Sequence, residues 1–103
     1  MTHQSFGEML RQLRKREGMP LRELASLLEI DQSTLSKIER NLRNASEELI
    51  EKLSRVFHVD VRALRVNYIS DKVAYDLLNE EDSIEILKVA EEKLEYLITK
   101  NKD

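Results

Sequence analysis

Cysteine and tryptophan are absent from the 103 residues, and there is one proline and two glycines. Without cysteine the chain has neither a disulfide framework nor a thiolate metal site. With so little proline and glycine, few positions are marked for turns. Leu, Glu, Lys, Arg and Ile dominate instead, side chains that lose little rotamer freedom in a helix, so an all-α protein is expected. No apolar run approaches the roughly 20 residues that cross a bilayer. The opening MTHQSFGEML has no basic stretch followed by an apolar one, so no signal peptide and a cytoplasmic location are expected.

Apolar residues make up 41% of the chain, enough for a globular core. The length suits one domain with a short appendage. The net charge of −3 is unevenly placed. Residues 1–65 carry 12 Lys/Arg against 10 Asp/Glu, a net of +2, and residues 66–103 carry 5 against 10, a net of −5. Such asymmetry hints at a nucleic-acid surface joined to a segment with another task.

Ser5 and Glu8 form a capping box for a first helix that runs to about Glu17, with Phe6, Met9, Leu10 and Leu13 inward. Gly18 stops it, and Pro20 is expected to begin the second helix, whose stripe is Leu21, Leu24, Ala25 and Leu28. Asp31 is placed to cap a third helix with Leu35 and Ile38 inside, ending near Arg40 and Asn41. Ser46 opens a fourth helix with Leu49, Ile50, Leu53, Val56 and Phe57. A fifth helix begins at Val61, buries Leu64, and keeps its apolar spacing through Leu78. After the polar NEEDS, a last helix runs from about Ser83 to Lys100, and its Leu87, Ala90, Leu94 and Leu97 follow a heptad seam.

The stretch LRELASLLEIDQSTLSKIER, Leu21 to Arg40, resembles the helix-turn-helix of the lambda-repressor/Cro-like (Xre-type) family of transcriptional regulators. The elements that carry the likeness are ELA at Glu23–Ala25, STLSKIER from Ser33, and Arg14 placed to meet Glu39. The resemblance implies a five-helix DNA-binding domain over residues 1–65. Residues 66–103 then form an αα-hairpin extension for dimerisation. Four positions depart from the usual pattern. Pro20 and Leu21 replace Thr or Ser and then Gln, so Leu21 lacks the phosphate contact a Gln would make. Glu29 and Asn41 stand where Gly is common, and Glu29 is expected to fit left-handed geometry poorly and to alter the turn.

Family resemblance makes Gln32, Ser33, Thr34, Ser36 and Lys37 the base readers, on a helix whose N-terminal residues enter the major groove. Arg22, Arg40, Arg43 and Asn44 are expected to bind phosphates, setting register and salt sensitivity. Arg14 and Glu39 are expected to form a structural pair. The plainer reading of the polar helix face is ordinary solvation, and the motif is what outweighs it.

Other features invite sharper stories that the residues do not support. His58 has no second histidine near it except His3, so the end of helix 4, where positive charge is favoured, explains it better than a metal. The acidic run Glu80–Asp82 lacks the ligand spacing of a calcium loop. Nothing assembles a nucleophile, base and oxyanion donors, so no enzyme, no cofactor and no metal are expected.

The expected partners are double-stranded DNA, a second copy of the chain and a second protein at the C-terminal hairpin, with no membrane. Ile69, Val73, Leu77, Leu87, Ala90, Leu94 and Leu97 are the expected homodimer face, since the first five helices already close a domain. The function that follows is an autoregulating repressor on an inverted-repeat operator. Restriction–modification controllers and antitoxin regulators fit the length as well. A helical protein-interaction adaptor that no longer touches DNA is the rival from another class.

Overall fold

The computed structural model describes residues 4–102. Six α-helices account for the regular structure among them: α1 (Phe6–Arg16), α2 (Leu21–Leu28), α3 (Gln32–Glu39), α4 (Glu47–Phe57), α5 (Val61–Leu77) and α6 (Ser83–Lys100). The protein is therefore all-α. Two compact units divide between Asp71 and Lys72. Helix α5 runs unbroken through the junction expected at residues 65 and 66.

The first unit closes around Phe6, Leu10, Leu24, Ala25, Leu28, Leu35, Ile38, Ala45, Leu49, Ile50, Leu53 and Leu64. Met9, Leu21, Val56 and Phe57 pack against this core but stay partly exposed. Ala25, 3% exposed, lies where a larger side chain would push neighbouring helices apart.

Four helices end in the same way. A residue in left-handed conformation follows α1, α2, α3 and α4: Gly18 (φ 64), Glu29 (φ 59), Asn41 (φ 61) and His58 (φ 54). The next amide then reaches back six residues inclusively: Met19 to Arg14 O, Ile30 to Ala25 O, Leu42 to Lys37 O and Val59 to Ser54 O, at 2.8–3.1 Å. These are Schellman motifs, which satisfy carbonyls that the helix leaves without partners. Glu29 thus adopts the geometry that its side chain disfavours, and the turn is regular. Packing of Ile30 and Val59 against the core supplies the compensation at Glu29 and His58.

Two starts differ from expectation. Pro20 is the N-cap of α2 at ψ 153, not its first helical residue. Asp31 occupies the N-cap of α3 but makes no side-chain cap hydrogen bond.

The start of α1 is tied down from three directions. Glu8 N–H donates to Ser5 Oγ, Gly7 N–H to Asn41 Oδ1 and Phe6 N–H to Asp71 Oδ2. These three amides, orphaned by the helix start, thus have partners. The close approach of α3 explains Gly7. A Cβ there would lie 2.5 Å from Glu39 O and 2.6 Å from Ile38 O.

In the second unit the end of α5 leads through a turn at residues 78–82 into α6, which has no buried residue. Among the described residues no helix is long and apolar enough to cross a membrane. His3 lies outside the described residues.

Candidate nucleic-acid interface

Helix α3 separates a buried and an exposed face by its sequence alone. Leu35, Ile38 and Glu39 are buried. At about 100° per residue, Gln32, Ser33, Ser36, Lys37 and Arg40 fall within an arc of roughly 140° on the other side. Gln32, Ser33, Lys37 and Arg40 are exposed, and Thr34 and Ser36 are half-buried. The helix therefore presents short polar side chains near its start and cations towards its end, on a core-anchored frame.

Arg14 and Glu39 fix that frame. Arg14 Nε donates to Glu39 Oε2 at 2.7 Å and Nη2 to Oε1 at 3.0 Å, while Nη1 reaches Met19 O at 3.0 Å. The carboxylate is nearly buried, with its side chain 6% exposed, and the fork satisfies both oxygens. Hydrogen bonding to Glu39, helped by its charge, holds the Arg14 guanidinium above its ordinary range against the opposing effect of burial. The pair joins α1 to α3 and keeps a charge in the core from standing alone.

The basic residues outside α3 lie on two elements. Arg22 is exposed in the first turn of α2. Arg40, Arg43 and Asn44 are exposed in the segment leading from α3 to α4, where Arg40 Nε folds back to Ser36 O at 3.3 Å. Arg43 and Thr34 border one shallow depression together with Ala25, Ser26, Glu29, Ile30 and Asp31. The structure thus brings one predicted phosphate residue and one predicted base reader to the same hollow. Leu21 instead packs against the core.

The sequence marks Asp31 only as a helix cap. Its exposed carboxylate, unused for capping, stands beside Gln32 as an acceptor of the kind that pairs with a cytosine amino group. The signal for this is weak, because Asp at an N-cap position ordinarily commits its side chain to the helix. No sequence motif points to Asn41 or Tyr68 as a site residue either. They hold the segment that carries Arg43 and Asn44, through hydrogen bonds that span 34 and 23 positions.

The hairpin residues are spread over both units. Ile69, Val73, Leu87, Leu94 and Leu97 are 43–57% exposed, Ala90 is exposed and Leu77 is half-buried. Among the described residues no group of three or more His, Asp or Glu side chains forms a metal site.

Comparison with known proteins places the chain among helix-turn-helix proteins. Residues 10–64 match the helix-turn-helix family. The HTH-type transcriptional regulator SinR of Bacillus licheniformis is 40% identical over 72 residues, 69% of this chain and 63% of that protein. SinR of Bacillus subtilis (strain 168) is 44% identical over 60 residues, 57% of this chain and 54% of that protein. The chain thus spans less than two thirds of the length of these relatives. Among solved structures, the N-terminal DNA-binding domain of SinR from Bacillus subtilis superposes with a TM-score of 0.53 at 43% identity, over 57% of this chain and 87% of that one. A chain of a SinR–SinI protein complex gives 0.53 at 30% identity, over 95% of this chain and 99% of that one. With more than half of its length matched, the chain belongs to the lambda-repressor/Cro-like (Xre-type) helix-turn-helix family.

Proposed function

We propose that this protein is a DNA-binding transcriptional regulator that reads duplex DNA with α3 and acts as a homodimeric repressor of its own operon. The observation that carries the reading is the polar and basic face of α3, exposed on a helix whose opposite face is locked into the core. Major-groove edges offer each base pair a distinct donor and acceptor pattern. Gln32 supplies a bidentate donor–acceptor pair for adenine, Lys37 a donor for guanine, and the Thr34 methyl a contact for thymine. Asp31 adds an acceptor for cytosine. Arg22, Arg40, Arg43 and Asn44 grip phosphates on either side and fix register without reading sequence. Asn44 donates through its amide, and the arginines add charge.

The second unit supplies self-association. Its exposed apolar side chains on α5 and α6 form a stripe that pairs with the same stripe of a second copy about a two-fold axis. Two α3 helices then stand roughly 34 Å apart and meet an inverted repeat. A second protein with a similar helical face would compete for the same stripe, and the likeness to a chain of the SinR–SinI complex supports that role. Nothing in the site suggests catalysis.

Selection of tight-binding duplexes from a random-sequence pool tests the reading. Enrichment of an inverted repeat with half-sites about one helical turn apart is expected. A pool that stays random after repeated rounds would favour the protein-interaction adaptor instead.

A further inference from the structure

The segment between α3 and α4 is pinned at both ends. At its start, left-handed Asn41 accepts Gly7 N–H on Oδ1 at 3.0 Å and donates through Nδ2 to Ser5 Oγ at 2.9 Å. At its end, buried Ala45 donates its amide to Tyr68 Oη at 2.9 Å. The Tyr68 ring packs edge-on against Phe6, with centroids 5.1 Å apart at 66°. Both pins therefore converge on the first turn of α1, where Gly7 lets α3 approach closely. Between them Leu42, Arg43 and Asn44 stand exposed.

Leu42 shows that this segment differs from the other helix ends. Met19, Ile30 and Val59, at the equivalent step after α1, α2 and α4, pack against the core, whereas Leu42 is 68% exposed. Core packing holds the other three turns. Here the side chains of Asn41 and Tyr68 take over that task.

We propose that Asn41 and Tyr68 are positioning residues that hold Arg40, Arg43 and Asn44 in a phosphate-gripping shape, although neither contacts DNA. The proposal rests on the DNA-binding reading above. A loop fixed before binding loses less conformational freedom on association, so its side chains contribute more to affinity. Each grip on a phosphate releases counterions and steepens the dependence of binding on salt. The number of phosphates held therefore reports the shape of the loop.

Two substitutions separate the pins from the fold. Asn41→Gly keeps the left-handed backbone at no steric cost but removes both side-chain hydrogen bonds. Tyr68→Phe keeps the ring on Phe6 and removes the acceptor for Ala45 N–H. The experiment is an anisotropy titration of the full chain, as wild type and as each single variant and the double variant. The probe is a mixed-sequence duplex of about three helical turns, and the salt series is run well below the unfolding temperature. The double variant is expected to bind about tenfold more weakly at low salt, with a log–log slope shallower by about 0.9 for each phosphate no longer gripped. The single variants lie between, and the core variant Ile50→Val, which lowers stability but removes none of these hydrogen bonds, keeps the wild-type slope. Amide exchange at Gly7 and Ala45 is expected to quicken in the corresponding variants. Unchanged slope and affinity in a folded double variant would overturn the proposal while leaving the DNA reading intact. Absence of salt-dependent binding by the wild type would overturn both, before any substitution is compared.

Discussion

Asp71 accepts the amide of Phe6 at 2.7 Å, so the last residue of the first unit caps the first helix from 65 positions away. A carboxylate at a helix N-terminus meets both an orphan donor and the positive end of the dipole. Asp71→Ala is expected to cost about 1–2 kcal/mol, in the range of lost helix caps, measured by chemical denaturation. A fragment ending at residue 65 lacks this cap together with Tyr68, and should melt below one ending at residue 77.

Glu39 sits in the core with both oxygens held by Arg14. Its removal leaves the largely buried Arg14 guanidinium without its counter-charge and with only Met19 O as a partner, and Glu39→Ala is expected to cost about 3 kcal/mol. Replacing both partners with apolar side chains of similar size, as in Arg14→Met/Glu39→Leu, should cost clearly less than either single loss, because no charge is stranded. A double-mutant cycle in urea reads the difference. An additive cycle would show that the pair contributes nothing as a pair.

The two glycines answer to different constraints, and alanine separates them. At Gly7 the new Cβ would meet backbone oxygens at 2.5 and 2.6 Å, which only a shift of α1 against α3 relieves. At Gly18 (φ +64) nothing lies within 4 Å, and only the left-handed backbone resists. Gly18→Ala is expected to cost about 1–2 kcal/mol. Gly7→Ala should exceed that and also weaken DNA binding, since it displaces the end of α3. Thermal unfolding ranks the two.

Leu87 and Leu94, on the proposed pairing stripe of the hairpin, lie outside the core of the first unit. Charges introduced there should therefore break self-association and spare the domain. Leu87→Glu/Leu94→Glu is expected to sediment as a monomer with an unchanged unfolding transition for the first unit. A dimer persisting in this variant would place the interface elsewhere.

Much of the fold can be read from local signals. Ser5 and Ser46 cap α1 and α4 as their spacing suggests, with Glu8 N at 3.2 Å and Leu49 N at 3.1 Å from the hydroxyls. Apolar periodicity places Leu10, Leu24, Leu28, Leu35, Ile50 and Leu53 in the core. Local pattern fails where tertiary contact decides. Left-handed Glu29 and His58 follow no residue preference, because packing of the apolar residue one step on imposes the turn. Asp31 looks like a cap and does not act as one. The ties made by Asp71, Tyr68 and Asn41 join segments far apart in sequence, and no window of neighbouring residues contains them. For the candidate site, the side chains are legible as a pattern on one helix face, whereas the supports that hold the adjoining loop are not.

Under the proposed function, the exposed face of α3 reads sequence in duplex DNA. Anisotropy titration against the DNA upstream of the protein's own coding sequence and a scrambled duplex, at two salt concentrations, tests it most directly. Salt-sensitive binding with a clear preference for the native fragment is expected. Gln32→Ala/Lys37→Ala should abolish the preference and keep residual affinity through Arg22, Arg40 and Arg43. Equal preference in wild type and variant would contradict a reading role for α3, and the absence of binding even at low salt would contradict DNA recognition altogether.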